Sequence, residues 1–99
     1  LLVGVYQAGR LRYVGRVGTG YDRATLEDLL PRLRARETDR CPFEVDAPPH
    51  GPQIHWVRPE LVANIAFAEW TRAGQVRQAS FQGLRDDKAP REVIAERPA

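Results

Sequence analysis

The chain opens with the stretch LLVGVYQAGRLRYVGRVG, residues 1–18, and this stretch predicts a β-hairpin. Apolar side chains recur at alternate positions on both sides of residues 8–10, where a glycine supplies the positive φ that a short connection requires. In the second arm, Arg12 and Arg16 fall on one predicted face and Leu11 falls on the other. The fold is therefore expected to begin with two paired strands, the second of which presents two arginines.

A helix and an irregular loop are predicted next. Asp22 follows a glycine-rich break and can accept hydrogen bonds from the first backbone amides of a helix. Leucines then recur at helical spacing, at Leu26, Leu29, Leu30 and Leu33. The pattern predicts a helix from Asp22 to about Glu37, with a kink or an early end at Pro31 because proline removes a backbone donor. Residues 40–52 are rich in proline and are expected to form a surface loop.

Three further strands complete the predicted fold. Residues 54–57 and 80–85 form short runs, and residues 61–71 form a longer one. Two strands, a helix and three strands in this length favour a mainly β fold: a five-stranded antiparallel OB-fold barrel with one helix. Closing the sheet in this way removes unprotected edges. The barrel is expected over residues 1–94, with residues 95–99 as a tail, and a split α+β sandwich is the alternative.

Composition narrows the class of protein. A length of 99 residues, with 42% hydrophobic and 28% charged residues, is typical of one small globular domain. No apolar stretch is long enough to span a membrane and no signal-peptide pattern is present, so we expect a cytoplasmic protein without a membrane partner. Cys41 is the only cysteine, which excludes an internal disulfide and suits a reducing compartment. The absence of methionine indicates a piece of a longer protein.

The charged residues suggest two phosphate-binding regions. Lys88 is the only lysine beside fourteen arginines, and it closes the run Arg85-Asp86-Asp87-Lys88 at the end of a predicted strand. A forked guanidinium beside a mobile ammonium can hold a polyphosphate, although a solvated charged turn is the alternative. Arg12, Arg16 and the loop Gly18-Thr19-Gly20 can approach nucleic-acid phosphates, although a solvated strand face is equally consistent with the sequence.

Other kinds of site fit poorly. The chain has no glycine-rich loop of the P-loop type, no serine–histidine–acid arrangement and no paired carboxylates on a predicted cleft strand. Cys41, His50 and His55 do not match the ligand spacing of a zinc site, and no metal site is predicted. Trp56 and Trp70 can either stack on bases or pack in the core, and core packing is favoured in so small a domain.

Four runs of sequence, which represent three motifs, occur in an order that indicates one family. The run LRYVGRVGTGY at residues 11–21 is followed by HWVRPELV at residues 55–62, FAEWT at residues 67–71 and FQGLRDDKAP at residues 81–90. Together they resemble a strand and loop near the start, the central strands (motif Va) and motif VI, with its pattern R-x-D-K, of the C-terminal OB domain of ATP-dependent DNA ligases. The resemblance is greatest to the bacterial end-joining ligase D group, and it extends over nearly all of residues 1–94.

The resemblance implies that the chain takes part in the reaction of a ligase with ATP. In such ligases a separate nucleotidyltransferase domain carries a lysine within a K-x-D-G motif, which attacks ATP to form lysyl-AMP. The OB domain closes over that pocket, and the resemblance implies that Arg85, Asp87 and Lys88 orient the ATP phosphates. Arg85 and Lys88 would be the direct phosphate contacts. ATP and Mg²⁺ would be bound jointly with the nucleotidyltransferase domain.

The resemblance also implies that the OB domain then clamps nicked double-stranded DNA during repair, at the nucleoid of a bacterial cytoplasm. The candidate DNA contacts are Arg12, Arg16, Thr19 and Gly20. Two features depart from the family pattern. The only lysine is Lys88, so no K-x-D-G nucleophile exists and the isolated chain is expected to be inactive. Asn64 stands where the family usually has glutamate.

Two other functions remain open on the residues alone. The chain can be interpreted as a free-standing OB module that binds single-stranded nucleic acid, because aromatic faces such as Trp56 and Trp70 on an OB sheet can stack on bases. It can also be read as a protein-interaction module, which would be favoured if Arg12 and Arg16 were buried against a partner.

Overall fold

A computed structural model describes residues 1–48, 51 and 53–95 of the chain. These residues form eight strands, one α-helix and one short 3-10 helix. The strands are, in chain order, β1 Leu2–Gln7, β2 Arg10–Arg16, β3 Glu37–Thr38, β4 Trp56–Val57, β5 Val62–Ala66, β6 Glu69–Trp70, β7 Val76–Arg77 and β8 Ser80–Arg85. The helix α1 spans Arg23–Arg34, and the 3-10 helix spans Pro90–Glu92. In this described part of the chain, no helix is long and apolar enough to cross a membrane.

The strands pair as four antiparallel two-stranded sheets: β1 with β2, β3 with β4, β5 with β8 and β6 with β7. Two isolated parallel bridges add to them, one between Arg12 and Val45 and one between Thr19 and Ser80. The predicted mainly β fold with one α-helix is confirmed. The prediction of a closed five-stranded barrel is not, because over the described residues the four ladders do not join into one continuous sheet.

The predicted long strand over residues 61–71 is divided in two. β5 ends at Ala66, and β6 turns back onto β7 as a local hairpin. The backbone amide of Ala68 donates to the carbonyl of Arg77 at 2.9 Å. This second part therefore satisfies its backbone hydrogen bonds locally instead of extending the β5 ladder, which is one reason that the barrel does not close.

A β-bulge interrupts the β1–β2 pair. Gly4 pairs with Tyr13 and Val3 pairs with Gly15, so Val14 is an extra residue on β2. Gly15 has a φ of 149°, a conformation that residues with side chains rarely adopt. The extra residue reverses the alternation of side chains along the rest of β2.

The bulge separates the two arginines that were predicted to share a face. Arg12, Val14 and Val17 are buried, with 6%, 3% and 0% of their surface exposed, whereas Arg16 is exposed. The prediction that β2 presents both arginines is therefore wrong. Strict alternation does not account for the inserted residue, and one inserted residue moves every later side chain to the other face.

The β5–β8 pair contains a second bulge. The register shifts after Asn64, and Gln82 is left as the extra residue on β8. Its neighbour Gly83 has a φ of 141°. Phe81 packs in the core, with 4% of its surface exposed, whereas Arg85 lines a cleft. The shift accordingly places these two side chains on opposite sides of β8.

Helix α1 begins at the predicted cap. The carboxylate of Asp22 accepts a hydrogen bond from the backbone amide of Thr25 at 2.7 Å, and this bond lowers the pKa of Asp22. The helix continues through Pro31 and ends at Arg34. The expected early end at Pro31 does not occur, and the helix stops before the predicted Glu37, which instead begins β3.

The core is small and joins β2, α1 and β8. Its buried members are Val17, Leu29, Ala79 and Phe81. Tyr21 packs over this cluster, with its ring stacked on Phe81 at a centroid distance of 5.2 Å. Its hydroxyl donates to the carbonyl of Val17 at 2.8 Å, and burial raises the pKa of Tyr21. The core thus lies between the end of β2 and the start of β8.

The predicted loop over residues 40–52 runs along β2. The backbone amides of Glu44 and Val45 both donate to the carbonyl of Leu11, at 2.9 and 3.2 Å. This contact covers part of the β2 edge and protects it from pairing elsewhere. Some predicted loop and tail positions lie outside the described residues, namely Pro49, His50, Pro52 and residues 96–99.

We predict that Leu29→Ala destabilises the chain by about 2–5 kcal/mol, because it removes a side chain packed against Val17 and Phe81 and leaves a cavity. Leu30→Ala is the matched control, since Leu30 follows it on the same helix and is 40% exposed. It should change the free energy of unfolding by about 0.5 kcal/mol or less. Urea denaturation of both variants measures the difference, and similar losses would contradict the described orientation of α1.

Candidate functional site

A cleft of about 1070 Å³ opens beside the core. Side chains of β1, β2, β5 and residues 53–59 form most of its wall, which is largely apolar. Four cationic side chains lie along it, namely Arg16, Arg58, Arg85 and Lys88. A concave apolar wall with a few polar groups is the usual form of a ligand site.

The turn after β8 holds the first two of the predicted phosphate-site residues together. Arg85 lies opposite Val62 in the β5–β8 pair. Its Nε donates to Asp87 Oδ1 at 3.1 Å and its Nη2 donates to Asp87 Oδ2 at 2.9 Å. The hydrogen bonds from Arg85 lower the pKa of Asp87, so this carboxylate is ionised at neutral pH. The two groups form a forked ion pair.

This ion pair is open to solvent. The Arg85 side chain is 36% exposed and the Asp87 side chain is 71% exposed. Water screens such a pair, and its contribution to stability is accordingly small. Asp87 thus orients the guanidinium through a pair that is open to solvent and weakly held.

Lys88 completes the predicted phosphate site. It is partly buried and lines the same cleft as Arg85. The segment that follows it is fixed to the first strand, because the backbone amide of Tyr6 donates to the carbonyl of Val93 at 2.7 Å. The backbone before the turn is thus bonded to β5, and the backbone after it is bonded to β1.

The other carboxylate of the turn points to a different partner. Asp86 Oδ1 lies 3.8 Å from Nη1 of Arg32 on α1. The same arginine lies closer to Asp28, with Nε and Oδ1 3.2 Å apart. The sequence analysis did not select Arg32, since its proximity to the turn depends on how α1 packs.

Arg12, predicted as a DNA contact, is an internal residue of the fold. Its Nη1 donates to the carbonyl of Gly74 at 2.8 Å, and Gly74 is itself buried in the turn between β6 and β7. Its Nε is buried without a hydrogen-bond partner. Arg12 thereby joins the first hairpin to the β6–β7 hairpin, whereas Arg16 lies exposed along the cleft.

Thr19 and Gly20, also predicted as DNA contacts, lie against the start of β8. The Thr19 hydroxyl donates to the carbonyl of Ala79 at 3.3 Å, and the Thr19 carbonyl accepts from the backbone amide of Phe81 at 2.9 Å. A Cβ atom on Gly20 would lie 2.3 Å from the Phe81 carbonyl oxygen. Neither residue lines the cleft, so the four predicted DNA contacts occupy three different environments.

The two tryptophans lie along the cleft. Trp56 contacts Phe43 edge to face at a ring centroid distance of 6.2 Å, and Trp70 contacts Phe67 in the same manner at 5.2 Å. Both tryptophans are partly buried and neither belongs to the buried core cluster. The favoured prediction of core packing is therefore only partly met, because the rings cover the wall of an open cleft.

Of the residues considered for a zinc site, the structure describes His55 and Cys41. His55 Nδ1 lies 2.9 Å from Glu37 Oε1, across the β3–β4 pair. Cys41 is a free thiol whose Sγ lies 3.9 Å from the carbonyl oxygen of Phe43. Among residues 1–48, 51 and 53–95, no group of three metal-ligating side chains is close enough to hold an ion. His50 lies outside those ranges.

Arg58 is a cleft cation that the sequence analysis did not select. Its Nε lies 3.1 Å from Glu60 Oε2, and the other carboxylate oxygen of Glu60 lies 3.2 Å from Nε of Arg36. The signal available in the sequence was its place directly after the predicted strand at residues 54–57. Glu60 therefore pairs with both arginines.

Comparison with known proteins gives the same family at each level. A family model described as the C-terminal region of ATP-dependent DNA ligases matches residues 1–88. The chain is 43% identical over 97 residues to the multifunctional non-homologous end joining protein LigD of Mycobacterium bovis, covering 97% of this chain and 13% of that protein. It is 41% identical over 103 residues to LigD of Pseudomonas aeruginosa, covering 100% and 12%. The chain thus spans only a small part of these relatives.

Solved structures show the same relationship. The ligase domain of LigD from M. tuberculosis is 42% identical, with a TM-score of 0.81, over 96% of this chain and 32% of that chain. A mycobacterial DNA ligase D in complex with ATP and MES is 43% identical, with a TM-score of 0.83 and the same coverage of both chains. The chain is thus similar to these two ligase structures in both sequence and fold.

We predict that Arg12→Ala destabilises the chain by about 1–3 kcal/mol, because it leaves the buried Gly74 carbonyl without its donor. Arg16→Ala is the matched control on the same strand and should change the free energy of unfolding by about 0.5 kcal/mol or less. Chemical denaturation of the two variants makes the comparison. If both variants lost the same stability, the burial of Arg12 inside the domain would be contradicted.

Proposed function

Because the chain belongs to the family of C-terminal regions of ATP-dependent DNA ligases, we propose that it is the OB-type C-terminal domain of a bacterial ligase D. The parent protein seals nicks in DNA during non-homologous end joining, in the bacterial cytoplasm at the nucleoid. The similarity to LigD proteins from two bacterial genera supports this function. The structural observation that supports it is that the two cations Arg85 and Lys88 line one cleft.

The cations on the cleft act in the first step of ligation. The domain closes over a nucleotidyltransferase domain of the same protein, and Arg85 and Lys88 contact the β- and γ-phosphates of ATP. Negative charge develops on the departing pyrophosphate, and positioned cations in a cleft that excludes water stabilise that charge. Asp87 fixes the orientation of the Arg85 guanidinium before the phosphates arrive, through its two hydrogen bonds.

The chain fits the phosphates of ATP better than it fits a metal ion. A divalent cation such as Mg²⁺ requires several oxygen ligands, and the described residues contain no group of three acidic, histidine or cysteine side chains that could supply them. Mg²⁺ would then be held by the ATP phosphates together with the nucleotidyltransferase domain, where it would offset the charge of the phosphates. The residues of this chain serve to bind and orient the phosphate oxygens.

In the second step of the proposed function, the domain binds DNA. After adenylylation the domain swings away and clamps nicked double-stranded DNA, and the exposed Arg16 contacts a phosphate of the backbone. Thr19 and Gly20 lie at the surface near the start of β8 and offer further backbone contacts. Arg12 supports this surface from inside, because it fixes β2 to the neighbouring hairpin.

The isolated chain does not adenylylate itself. Lys88 is its only lysine and is followed by Ala89 and Pro90, so the K-x-D-G nucleophile must come from another domain. The enzymatic activity belongs to the whole ligase, and this chain contributes phosphate-binding and DNA-binding groups to it.

We predict that Arg85→Ala or Lys88→Ala in the full-length ligase slows formation of the lysyl-AMP adduct by about a hundredfold, because each variant removes a charge that stabilises the departing pyrophosphate. Sealing of pre-adenylylated nicks should change only a fewfold. Gel assays of the two half-reactions separate these effects. Arg91→Ala is the control, since Arg91 is an exposed cation three residues beyond Lys88. Equal losses in both half-reactions would refute the assigned role.

We predict that Arg16→Ala in the full-length ligase lowers the affinity for nicked DNA and reduces the slope of log K against log salt by about 0.9, the value for one phosphate contact. Arg10→Ala is the matched control, because Arg10 is exposed at the other end of the same strand. Fluorescence anisotropy at several salt concentrations measures both slopes. An unchanged slope for Arg16→Ala would exclude the proposed backbone contact.

A further inference from the structure

The turn at residues 85–88 carries two carboxylates, and the structure pairs them with different guanidinium groups. Both oxygens of the Asp87 carboxylate accept a hydrogen bond from Arg85 inside the turn. Asp86 lies 3.8 Å from Arg32 on α1. Of these two adjacent acids, only Asp87 is hydrogen-bonded to Arg85, the cation that is proposed to bind phosphate.

The hydrogen bonds of Asp87 occupy the edge of Arg85 that a phosphate would use. Nε and Nη2 form one side of the guanidinium fork, and both point at the carboxylate oxygens. Carboxylate and phosphate accept this fork in the same geometry, with two parallel N–H···O bonds. A phosphate can therefore bind this edge only after the carboxylate has left it.

Exposure and charge indicate that this exchange is possible. The Asp87 side chain is 71% exposed, and a solvated pair of this kind is held weakly. A diphosphate or triphosphate carries more negative charge than one carboxylate. It replaces a carboxylate that interacts with both Arg85 and Lys88, and its greater charge favours the exchange. A monophosphate at Arg85 only replaces one forked contact with another.

We propose that Asp87 is an internal competitor for the phosphate edge of Arg85: it occupies the fork in the free chain and is displaced by the polyphosphate of the nucleotide. The inference rests on the proposed function, because it takes Arg85 as a phosphate ligand. It assigns Asp87 a second property beyond orientation, namely that it lowers the apparent affinity for polyphosphate by the fraction of time it holds the fork. Asp86 has no such effect, because it approaches Arg32 instead.

The test compares Asp87→Asn with Asp86→Asn in the 99-residue chain. Both variants remove one negative charge from neighbouring exposed positions of the same turn, so the long-range effect of charge is matched. The chain is titrated with sodium pyrophosphate and followed by NMR, which suits weak binding. We expect Asp87→Asn to bind pyrophosphate about two- to fivefold more tightly than Asp86→Asn, the range that a solvent-exposed ion pair provides.

A second measurement reports directly on the contact between Asp87 and Arg85. The Nε–Hε resonance of Arg85 should shift in Asp87→Asn before any pyrophosphate is added, and in the unsubstituted chain it should shift on addition of pyrophosphate. If Asp87→Asn bound pyrophosphate no more tightly than Asp86→Asn, the competitor would be refuted and Asp87 would only orient Arg85.

The same titration distinguishes this failure from failure of the proposed function. Arg85→Ala should weaken pyrophosphate binding to the chain whether or not Asp87 competes. If Arg85→Ala left the affinity unchanged, the phosphate contact itself would be wrong and the competitor would be overturned with it. If Arg85→Ala weakened binding and Asp87→Asn did not strengthen it, only the competitor would be rejected.

Discussion

The bulges in β2 and β8 decide which charged side chains enter the core and which reach the cleft. Regular alternation along β2 would put Arg12 and Arg16 on one face, beside the buried Val14. Burial of two guanidinium groups in so small a core would be costly, because each must be desolvated and supplied with acceptors. The extra residue before Gly15 leaves one guanidinium inside, with a carbonyl acceptor, and turns the other to the cleft. A similar extra residue beside Gly83 separates a core phenylalanine from the arginine at the end of β8.

The small core and the open cleft have a common origin in the strand pairing. The four ladders are short and separate in the described part of the chain, and single bridges and side-chain contacts hold them together. The hydrogen bond from Arg12 to Gly74 is one such contact, and the backbone bond from Phe81 to Thr19 is another. A sheet that closed on itself would bring β1, β2 and β5 around a filled interior. Here their side chains line a cleft, and this space receives the cations that the proposed function uses.

Local features could be predicted from the sequence, and features that depend on register or tertiary packing could not. The first hairpin, the Asp22 cap and the strand that ends at Arg85 each follow from short patterns, and each is present. The bulges escaped prediction because a single inserted residue looks like ordinary alternation, although the glycines at positions 15 and 83 were the available signal. The break after Ala66 also escaped, since an apolar run does not reveal with which strand it pairs.

In the candidate site as well, the residue types could be predicted from the sequence and the contacts between them could not. The sequence predicted Arg85 and Lys88 as phosphate-binding residues, because the only lysine lies close to an arginine and two acids in a chain with fourteen arginines. The pairing of the two acids with different arginines required the position of α1, which brings Arg32 near the turn. The burial of Arg12 likewise required the neighbouring hairpin. A sequence can supply the charges of such a site, but the partners of those charges depend on elements far away in the chain.

The way the turn is held bears on the two steps of the proposed function. β8 pairs with β5 before the turn, and the segment after it is bonded to β1 through Tyr6 and Val93. The backbone on both sides of the turn is thus bonded to other strands of the domain. Under the proposed function, Arg85 and Lys88 approach and leave the phosphates together with the whole domain. Under the proposed function, rigid-body motion of the domain then removes both cations together and frees the domain for the DNA step.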